Sequence, residues 1–402
     1  MRPAFIRSLP SPLSGTIWRR LALPLVLAAT GLVGCAVAPP APTPVAALLQ
    51  DRLYPEAPAA VDVSGVFALS PAMRQYVSTE LAGLDRAPDR RQALLAALRD
   101  QGRLNLDYDD GDTRNAAEAF DKRAGHCLSL VVMTAAFAKH LGLPVRYQQV
   151  HVRPNYSRAN SLTFASGHVN IVLTALPADG PGRSAAAEDL TVDFVTPDEL
   201  RGARIEPITE GRVLAMFMNN RAAEHLAAGR PAEAYAWARA AVLQDPAYLG
   251  ALNTLGVIYL RSGHHDAAER ALENVLARAP DDVPAVSNLV ATLTAAGRQA
   301  EAAPYRRRLA MLQRHPPFHF LDLGLVALRQ GDVRQARSHF ERELRRQPFQ
   351  HEAHYWAGVA DALLGDPASA EEHLRRAIEH SGNPVLGARY SAKLAALKGR
   401  SL

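Results

Sequence analysis

Cysteine is nearly absent from this sequence. Its 402 residues contain only two, Cys35 and Cys127. Two cysteines cannot supply the set of disulfides that stabilises small secreted domains. The chain must therefore be held by hydrophobic cores, for which its 48% content of hydrophobic residues suffices. A chain of this length exceeds one ordinary domain, so we expect two or three.

Excess charge is also scarce once the first residues are set aside. The formal net charge is +5, but residues 1–34 contain four arginines and no acidic residue. The remainder has 41 basic and 40 acidic residues. Such a chain has no overall field that would attract nucleic acid. Glycine-rich phosphate loops are missing too, and the run Arg306–Arg308 is typical of a solvated helix face.

Metal-ligand patterns are missing as well. Asp109, Asp110 and Asp112 alternate as in a calcium loop, but Phe120 stands where that loop needs a glutamate. The histidine pair at 264–265 falls in a turn, and the pair at 315 and 319 flanks two prolines. Neither pair is arranged on one regular helix face. We expect no metal and no cofactor.

The first 34 residues have the composition of a signal peptide. Arg19 and Arg20 precede 13 largely apolar residues, which are too few to span a bilayer core of roughly 30 Å. The sequence Leu32-Val33-Gly34-Cys35 resembles the lipobox of bacterial lipoproteins. This resemblance implies cleavage before Cys35, lipidation of its thiol, and an envelope location. Because Ala36 follows the cysteine, it further implies the periplasmic face of the outer membrane.

Residues 35–50 are rich in proline and alanine, which predicts an extended tether that joins the lipidated cysteine to the folded protein. With Cys35 taken up by lipid, Cys127 remains as a lone thiol. A lone thiol outside the cytoplasm must be buried or used, because it is otherwise prone to oxidation.

A period of 34 residues dominates the second half of the chain. Alanine recurs at this interval five times, at Ala234, Ala268, Ala302, Ala336 and Ala370. Prolines and turn signals recur with the same period, so each unit is predicted to form two helices joined by a short turn. The pattern resembles the tetratricopeptide repeat over residues 213–382, in about five copies. Residues 383–402 are expected to form a capping helix and tail. The resemblance implies that the repeats bind a protein or peptide.

The intervening residues 51–205 contain Cys127 at the start of an apolar helical run. A helix N-terminus offers free N–H groups and the positive end of the helix dipole, both of which favour a thiolate. Three strand candidates follow, at residues 145–152, 168–173 and 190–195; the second contains His168 and the third contains Asp193. A carboxylate within an apolar strand needs a partner, and a histidine on a neighbouring strand would provide it. Asp189, on the loop side of that strand, is the competing carboxylate.

The order of a helix-opening cysteine, a strand histidine and a strand aspartate resembles the transglutaminase-like, papain-related cysteine superfamily. Its motifs here are Arg123-x-Gly125-x-Cys127, Gly167-His168-Val169 and Val192-Asp193-Phe194. The resemblance implies that Cys127 is a nucleophile, that His168 shuttles the proton and that Asp193 orients His168. It also implies an α+β cysteine-hydrolase-like domain, with a helix packed on an antiparallel sheet, before the all-α repeat solenoid.

Two functions remain open from the sequence. The first is an envelope-anchored thiol hydrolase or acyltransferase that acts on peptide or isopeptide amides while the repeats hold a protein partner. Leu128 stands where many transglutaminases have an aromatic residue, which favours a peptidase or amidase over a crosslinking enzyme. The alternative is a non-catalytic adaptor that uses the repeats alone. The presence of all three site residues favours the enzyme.

Overall fold

The computed structural model describes residues 43–99, 107–108, 112–159, 162–174, 189–194, 200, 202–381 and 384–398. The predicted signal peptide and Cys35 lie outside this part, as do Asp109 and Asp110. Within the described residues, no helix is both long and apolar enough to cross a bilayer.

The first part of the described chain is built from five helices and six strands. The helices are α1 (Val45–Leu48), α2 (Pro71–Glu80), α3 (Arg90–Arg99), α4 (Ala116–Lys122) and α5 (Cys127–His140). The strands are β1 (Asp107–Tyr108), β2 (Ala124–Gly125), β3 (Val145–Ala159), β4 (Leu162–Leu173), β5 (Leu190–Val192) and β6 (Arg204–Ile208).

Helix α5 is the central element of this part. Every side chain from Cys127 to Ala138 is buried, because the helix is apolar on all sides and is surrounded by other elements. It packs against β4 and α4, and its last turn carries Lys139 and His140. Gly142, at a φ of 68°, then turns the chain toward β3.

Strands β3 to β6 form one antiparallel sheet in the order β5-β4-β3-β6. The pair β3 and β4 is a long hairpin whose register shifts between Val150 and Asn155. The edge strand β6 was not expected from the sequence, because four of its five residues are exposed and Pro207 interrupts its pattern. Parallel strands β1 and β2 pair separately, next to the start of α5.

The repeat array consists of five helix pairs and a terminal helix. The pairs are α6 (Glu210–Ala227) with α7 (Pro231–Gln244), α8 (Leu249–Arg261) with α9 (His265–Arg278), α10 (Val283–Ala295) with α11 (Gln299–Leu312), α12 (His319–Arg329) with α13 (Val333–Arg346), and α14 (His351–Leu363) with α15 (Pro367–Glu379). Helix α16 (Pro384–Lys398) packs on α15, as expected for a cap.

The two helices of each pair pack closely at the alanine that recurs every 34 residues. All five of these alanines are fully buried, where the two helices cross. A glycine with φ between 72° and 82° ends the first helix of every pair, at Gly229, Gly263, Gly297, Gly331 and Gly365. The left-handed conformation has no steric cost for glycine, which explains this second 34-residue series.

The last residues of the predicted tether pack on the repeats instead of being free. Leu48 is buried among the first two pairs, and Tyr54 stacks on Tyr235 at 4.4 Å. The backbone N–H of Gln50 donates to the hydroxyl of Tyr259 (3.0 Å), which donates to the Leu48 carbonyl (2.9 Å). Residues 43–50 therefore belong to the folded protein, because they bury apolar and aromatic surface.

Helix α6 belongs to both parts of the protein. Its residues Val213, Met216 and Phe217 lie in the same apolar core as α5 and the sheet. Residues Met218 and Ala222, on the same helix, lie in the core of the first repeats. The predicted boundary between residues 205 and 213 thus separates the two parts in sequence, but α6 joins them in space.

Candidate active site

The start of α5 fixes the position of Cys127. His126 is the residue before the helix, and its Nε2 lies 2.9 Å from the hydroxyl of Thr113. The His126 ring thus contacts the loop that contains Thr113. Gly125 is required for a reason that the sequence did not show. A Cβ there would lie 2.7 Å from Cβ of Ser129, so any larger residue would push β2 off the helix.

His168 lies beside the sulfur. Strand β4 contacts α5, and the His168 side chain points to the helix, placing Nδ1 3.1 Å from Sγ of Cys127. Both residues are largely shielded from solvent, with 8% of Cys127 and 4% of His168 exposed. At this distance a proton can pass directly between sulfur and imidazole.

Asp193 completes the line on the far side of the ring. Nε2 of His168 donates to Oδ1 of Asp193 at 2.7 Å. The sequence predicted Asp193 within a strand, but β5 ends at Val192 and Asp193 is the next residue. The competing carboxylate, Asp189, forms an ion pair with Arg146 at the exposed side of the sheet. The structure thus brings Cys127, His168 and Asp193 together and leaves Asp189 out.

The charge of the imidazole follows from these neighbours. Burial lowers the pKa of His168, but hydrogen bonds to Asp193 and to Cys127, and the negative charge of both, outweigh it and raise that pKa to about 10. At neutral pH the ring is protonated and donates from both nitrogens. Nδ1 of this ring lies 3.1 Å from Sγ of Cys127, within reach for proton exchange between the two side chains.

Asn170 is a site residue that the sequence analysis missed. Its Nδ2 donates to Oδ2 of Asp193 at 2.9 Å, so that both oxygens of the carboxylate are bonded. Asn170 is 2% exposed, and its Oδ1 has no hydrogen-bond partner among the described residues. Spacing could have revealed it, because residues two apart on a strand face the same side and His168 is two residues earlier.

The loop that contains Thr113 and Arg114 forms hydrogen bonds with both α5 and helix α6 of the first repeat. The backbone N–H of Thr113 donates to Oε1 of Glu224 on α6 (2.7 Å), and burial raises the pKa of that glutamate. The next backbone N–H, that of Arg114, donates to the hydroxyl of Ser129 on α5 (2.9 Å). The region around Cys127 is therefore held partly by the repeat array.

No group of three histidine, cysteine or acidic side chains suited to a metal ion occurs in the part of the chain that the structure describes. His264, His265, His315 and His319 all lie in the repeats, far along the chain from Cys127.

Family models for the tetratricopeptide repeat match two segments of the chain, residues 225–293 and 321–384. Both matches fall on the helix pairs, and with the buried alanines they show that the chain contains tetratricopeptide repeats. Arrays of this kind form extended surfaces that are typical of protein–protein interaction.

Solved repeat proteins are also similar to this region. YrrB, described as a TPR protein with an unusual peptide-binding site, is 21% identical over 44% of this chain and 92% of its own, with a TM-score of 0.24. A thermophilic TPR protein of Thermus thermophilus is 19% identical over 45% and 99%, with a TM-score of 0.28. MamA is 19% identical over 40% and 94%, with a TM-score of 0.23. A comparison with curated proteins finds no match. The second half of the chain is a tetratricopeptide-repeat array.

Proposed function

We propose that this protein binds a protein partner through its repeats and performs thiol-dependent acyl chemistry at Cys127. The substrate class would be a peptide or isopeptide amide. The observation that carries the proposal is the line of contacts from Sγ through both ring nitrogens to the carboxylate, 3.1 Å and then 2.7 Å. This is the order that activates a cysteine nucleophile in unrelated folds.

The chemistry would run in two steps. The Cys127 thiolate attacks the amide carbonyl carbon, forming a carbon–sulfur bond, and the carbon–nitrogen bond then breaks as His168 gives its proton to the leaving amine. Water or a second amine attacks the resulting thioester, and His168 takes the proton of that nucleophile. The carbon–sulfur bond breaks and the thiolate returns. Water gives hydrolysis, whereas an amine gives acyl transfer.

The test measures whether Cys127 behaves as an activated thiol. Iodoacetamide modification of Cys127 would be followed by mass spectrometry from pH 4 to pH 9, in the wild type and in His168→Ala. A matched control is His151→Ala, since His151 lies on neighbouring β3 but pairs with Glu206 at the surface. We expect fast modification well below pH 8 that slows at least tenfold in His168→Ala alone. Slow modification that is indifferent to His168 would refute the thiol chemistry.

A non-catalytic adaptor is the second candidate. It is favoured by the family matches, both of which fall within the repeats, and by the low exposure of Cys127 and His168. In this case the cysteine and histidine would be structural, and the repeats would assemble other proteins. The same experiment decides, because a structural thiol has no reason to depend on His168 for its reactivity.

We further propose that the protein is anchored in the bacterial envelope by lipid on Cys35. The support is the lipobox-like sequence that ends at this residue. Metabolic labelling with a clickable palmitate should mark the wild type and fail in Cys35→Ala. Equal labelling of both proteins would refute the anchor without bearing on the chemistry of Cys127.

A further inference from the structure

The fourth repeat leaves apolar side chains exposed at two positions that are fully buried in the second, third and fifth repeats. On α12, Leu323 is 38% exposed and Val326 is 39% exposed. Their counterparts 68 residues earlier, Leu255 and Ile258 on α8, are fully buried. The counterparts in α10 and α14 are fully buried too, at Leu289, Thr292, Ala357 and Ala360. The exposure is therefore a property of the fourth repeat and not of the repeat pattern.

The cause is an interruption of the array between its third and fourth repeats. The apolar core that runs through the first three pairs ends at Ala302, and a separate core begins at Phe318. The connection contains two prolines and brings Phe318 to a φ of 62°, which is rare for an aromatic residue. Helix α11 accordingly ends with Met311 77% exposed and Leu312 37% exposed.

Positive charge is concentrated at the same place. Residues 303–346 contain ten arginines and four acidic residues, while the rest of the chain has 35 basic and 36 acidic residues. Arg307 is exposed one helical turn before Met311, and Arg329 is exposed three residues after Val326. Neither arginine has an acidic partner among the described residues. Six of these exposed residues lie on the two helices that flank the break, and together they are called the junction surface: Arg307, Met311 and Leu312 on α11, and Leu323, Val326 and Arg329 on α12.

We propose that the junction surface binds an acidic amphipathic segment of a partner protein. Apolar side chains of the segment would cover the exposed leucine, valine and methionine, and its carboxylates would pair with the arginines. Positive charge alone would suit any polyanion, but four exposed apolar side chains require an apolar face on the ligand. The proposal depends on the protein-binding role of the repeats and does not depend on the chemistry of Cys127.

The experiment selects ligands without assuming a sequence. Random 16-residue peptides displayed on phage are enriched on the full chain, and the winning peptide is labelled for fluorescence anisotropy. We expect enriched peptides to combine acidic and apolar residues. Binding should weaken about tenfold or more in Leu323→Asp and about threefold or more in Arg329→Glu, and it should fall as salt is raised. Both residues are exposed, so the variants should melt as the wild type does.

Matched controls carry the same changes elsewhere in the array. Leu363→Asp alters a leucine of α14 that is 63% exposed, and Arg389→Glu alters an exposed arginine of α16. Both should bind the peptide as the wild type does, and so should Cys127→Ala. If Cys127 of the wild type reacts slowly and peptide binding is intact, the thiol chemistry is refuted and the proposal for the junction surface is not affected.

Four results would overturn the proposal. The first is failure of the selection to enrich any peptide, and the second is enrichment of peptides without acidic residues. The third is equal binding by wild type and Leu323→Asp. The fourth is a wild-type dimer in light scattering that becomes a monomer in Leu323→Asp, because the occupant would then be a second copy of this chain.

Discussion

A histidine lies next to an aspartate in each half of the described chain, and the pKa of the two histidines is shifted in opposite directions. Near α5, His168 lies 2.7 Å from Asp193 and 3.1 Å from the Cys127 sulfur. In the last repeat, His373 lies 3.8 Å from Asp361 and 3.0 Å, between ring nitrogens, from His354. Interactions with the carboxylate and the sulfur raise the pKa of His168, whereas burial lowers that of His373 despite Asp361.

The neighbours of the aspartate explain this difference. Asp361 already has a cation, since Nε of Arg337 lies 2.8 Å away, and Arg376 further disfavours a charge on His373. Asp193 accepts its bonds from His168 and from the neutral amide of Asn170. The carboxylate and sulfur beside His168 thus raise its pKa, whereas burial and Arg376 lower the pKa of His373.

The largest expected effect is on the alkylation rate of Cys127, which should depend on Asp193 and not on Asp361. Asp193→Asn should slow the alkylation of Cys127 at neutral pH by about 100-fold, because the protonated form of His168 loses its anionic partner. Asp361→Asn, the matched change in the last repeat, should leave the rate within twofold. Rates for both variants come from mass spectrometry of Cys127. Equal slowing in the two would mean that general destabilisation, not the local charge, controls the thiol.

The second effect separates the two pairs by stability. Arg337→Met should lower the free energy of unfolding by about 1–3 kcal/mol, because Asp361 remains buried without its guanidinium. It should also raise the pKa of His373, which becomes the nearest cation. Arg334→Met on the same helix is the control, and as an exposed residue it should change stability by no more than about 0.5 kcal/mol. Urea denaturation measures the free energy of unfolding of both variants. Equal losses would contradict the role of Arg337 as the cationic partner of Asp361.

The smallest expected effect concerns the second partner of Asp193. Asn170→Ala removes one hydrogen bond to the carboxylate and should cost about 0.5–1.5 kcal/mol of stability. Because Asp193 would be held less firmly, the alkylation rate should fall severalfold, less than in Asp193→Asn. Asn170→Asp is the informative companion, since it keeps the shape but places a second negative charge beside Asp193. An unchanged rate in Asn170→Ala would show that Asn170 does not help to position Asp193.

The sequence predicts the repeats better than it predicts their interruption. A 34-residue period is a local signal that recurs five times, so the helix pairs and the cap could be placed from the chain alone. The break after the third pair has a weak signal in the sequence: Arg314 stands where the 34-residue series of Pro246, Pro280 and Pro348 would place a proline. The residues that are exposed at this break depend on the packing between neighbouring helix pairs, which cannot be deduced from a sequence period.

The site shows a similar division. Cys127, His168 and Asp193 could be proposed because each has a local reason: a helix start, a strand, and a charge in an apolar run. The contact of Glu224 with Thr113 could not, because it joins residues 111 positions apart in two separately recognised regions. The packing of Leu48 on the repeats escaped for the same reason: the proline-rich composition predicted an extended tether, whereas Val45–Leu48 form helix α1 against the repeats.

The most direct test of the account is the titration of the His168 ring. ¹⁵N-edited NMR of histidine-labelled protein, with His168→Gln for assignment, reports the protonation of both nitrogens. Because the pKa is raised in the folded state from 6.5 to about 10, the proton should still be present at pH 8 and leave only as pH rises toward 10. The stability that His168 contributes should be complete below about pH 6.5 and disappear over the same rise. In Cys127→Ala the midpoint should fall. A neutral ring at pH 8 in the wild type, with the same midpoint in Cys127→Ala, would contradict a charged unit of cysteine, histidine and aspartate.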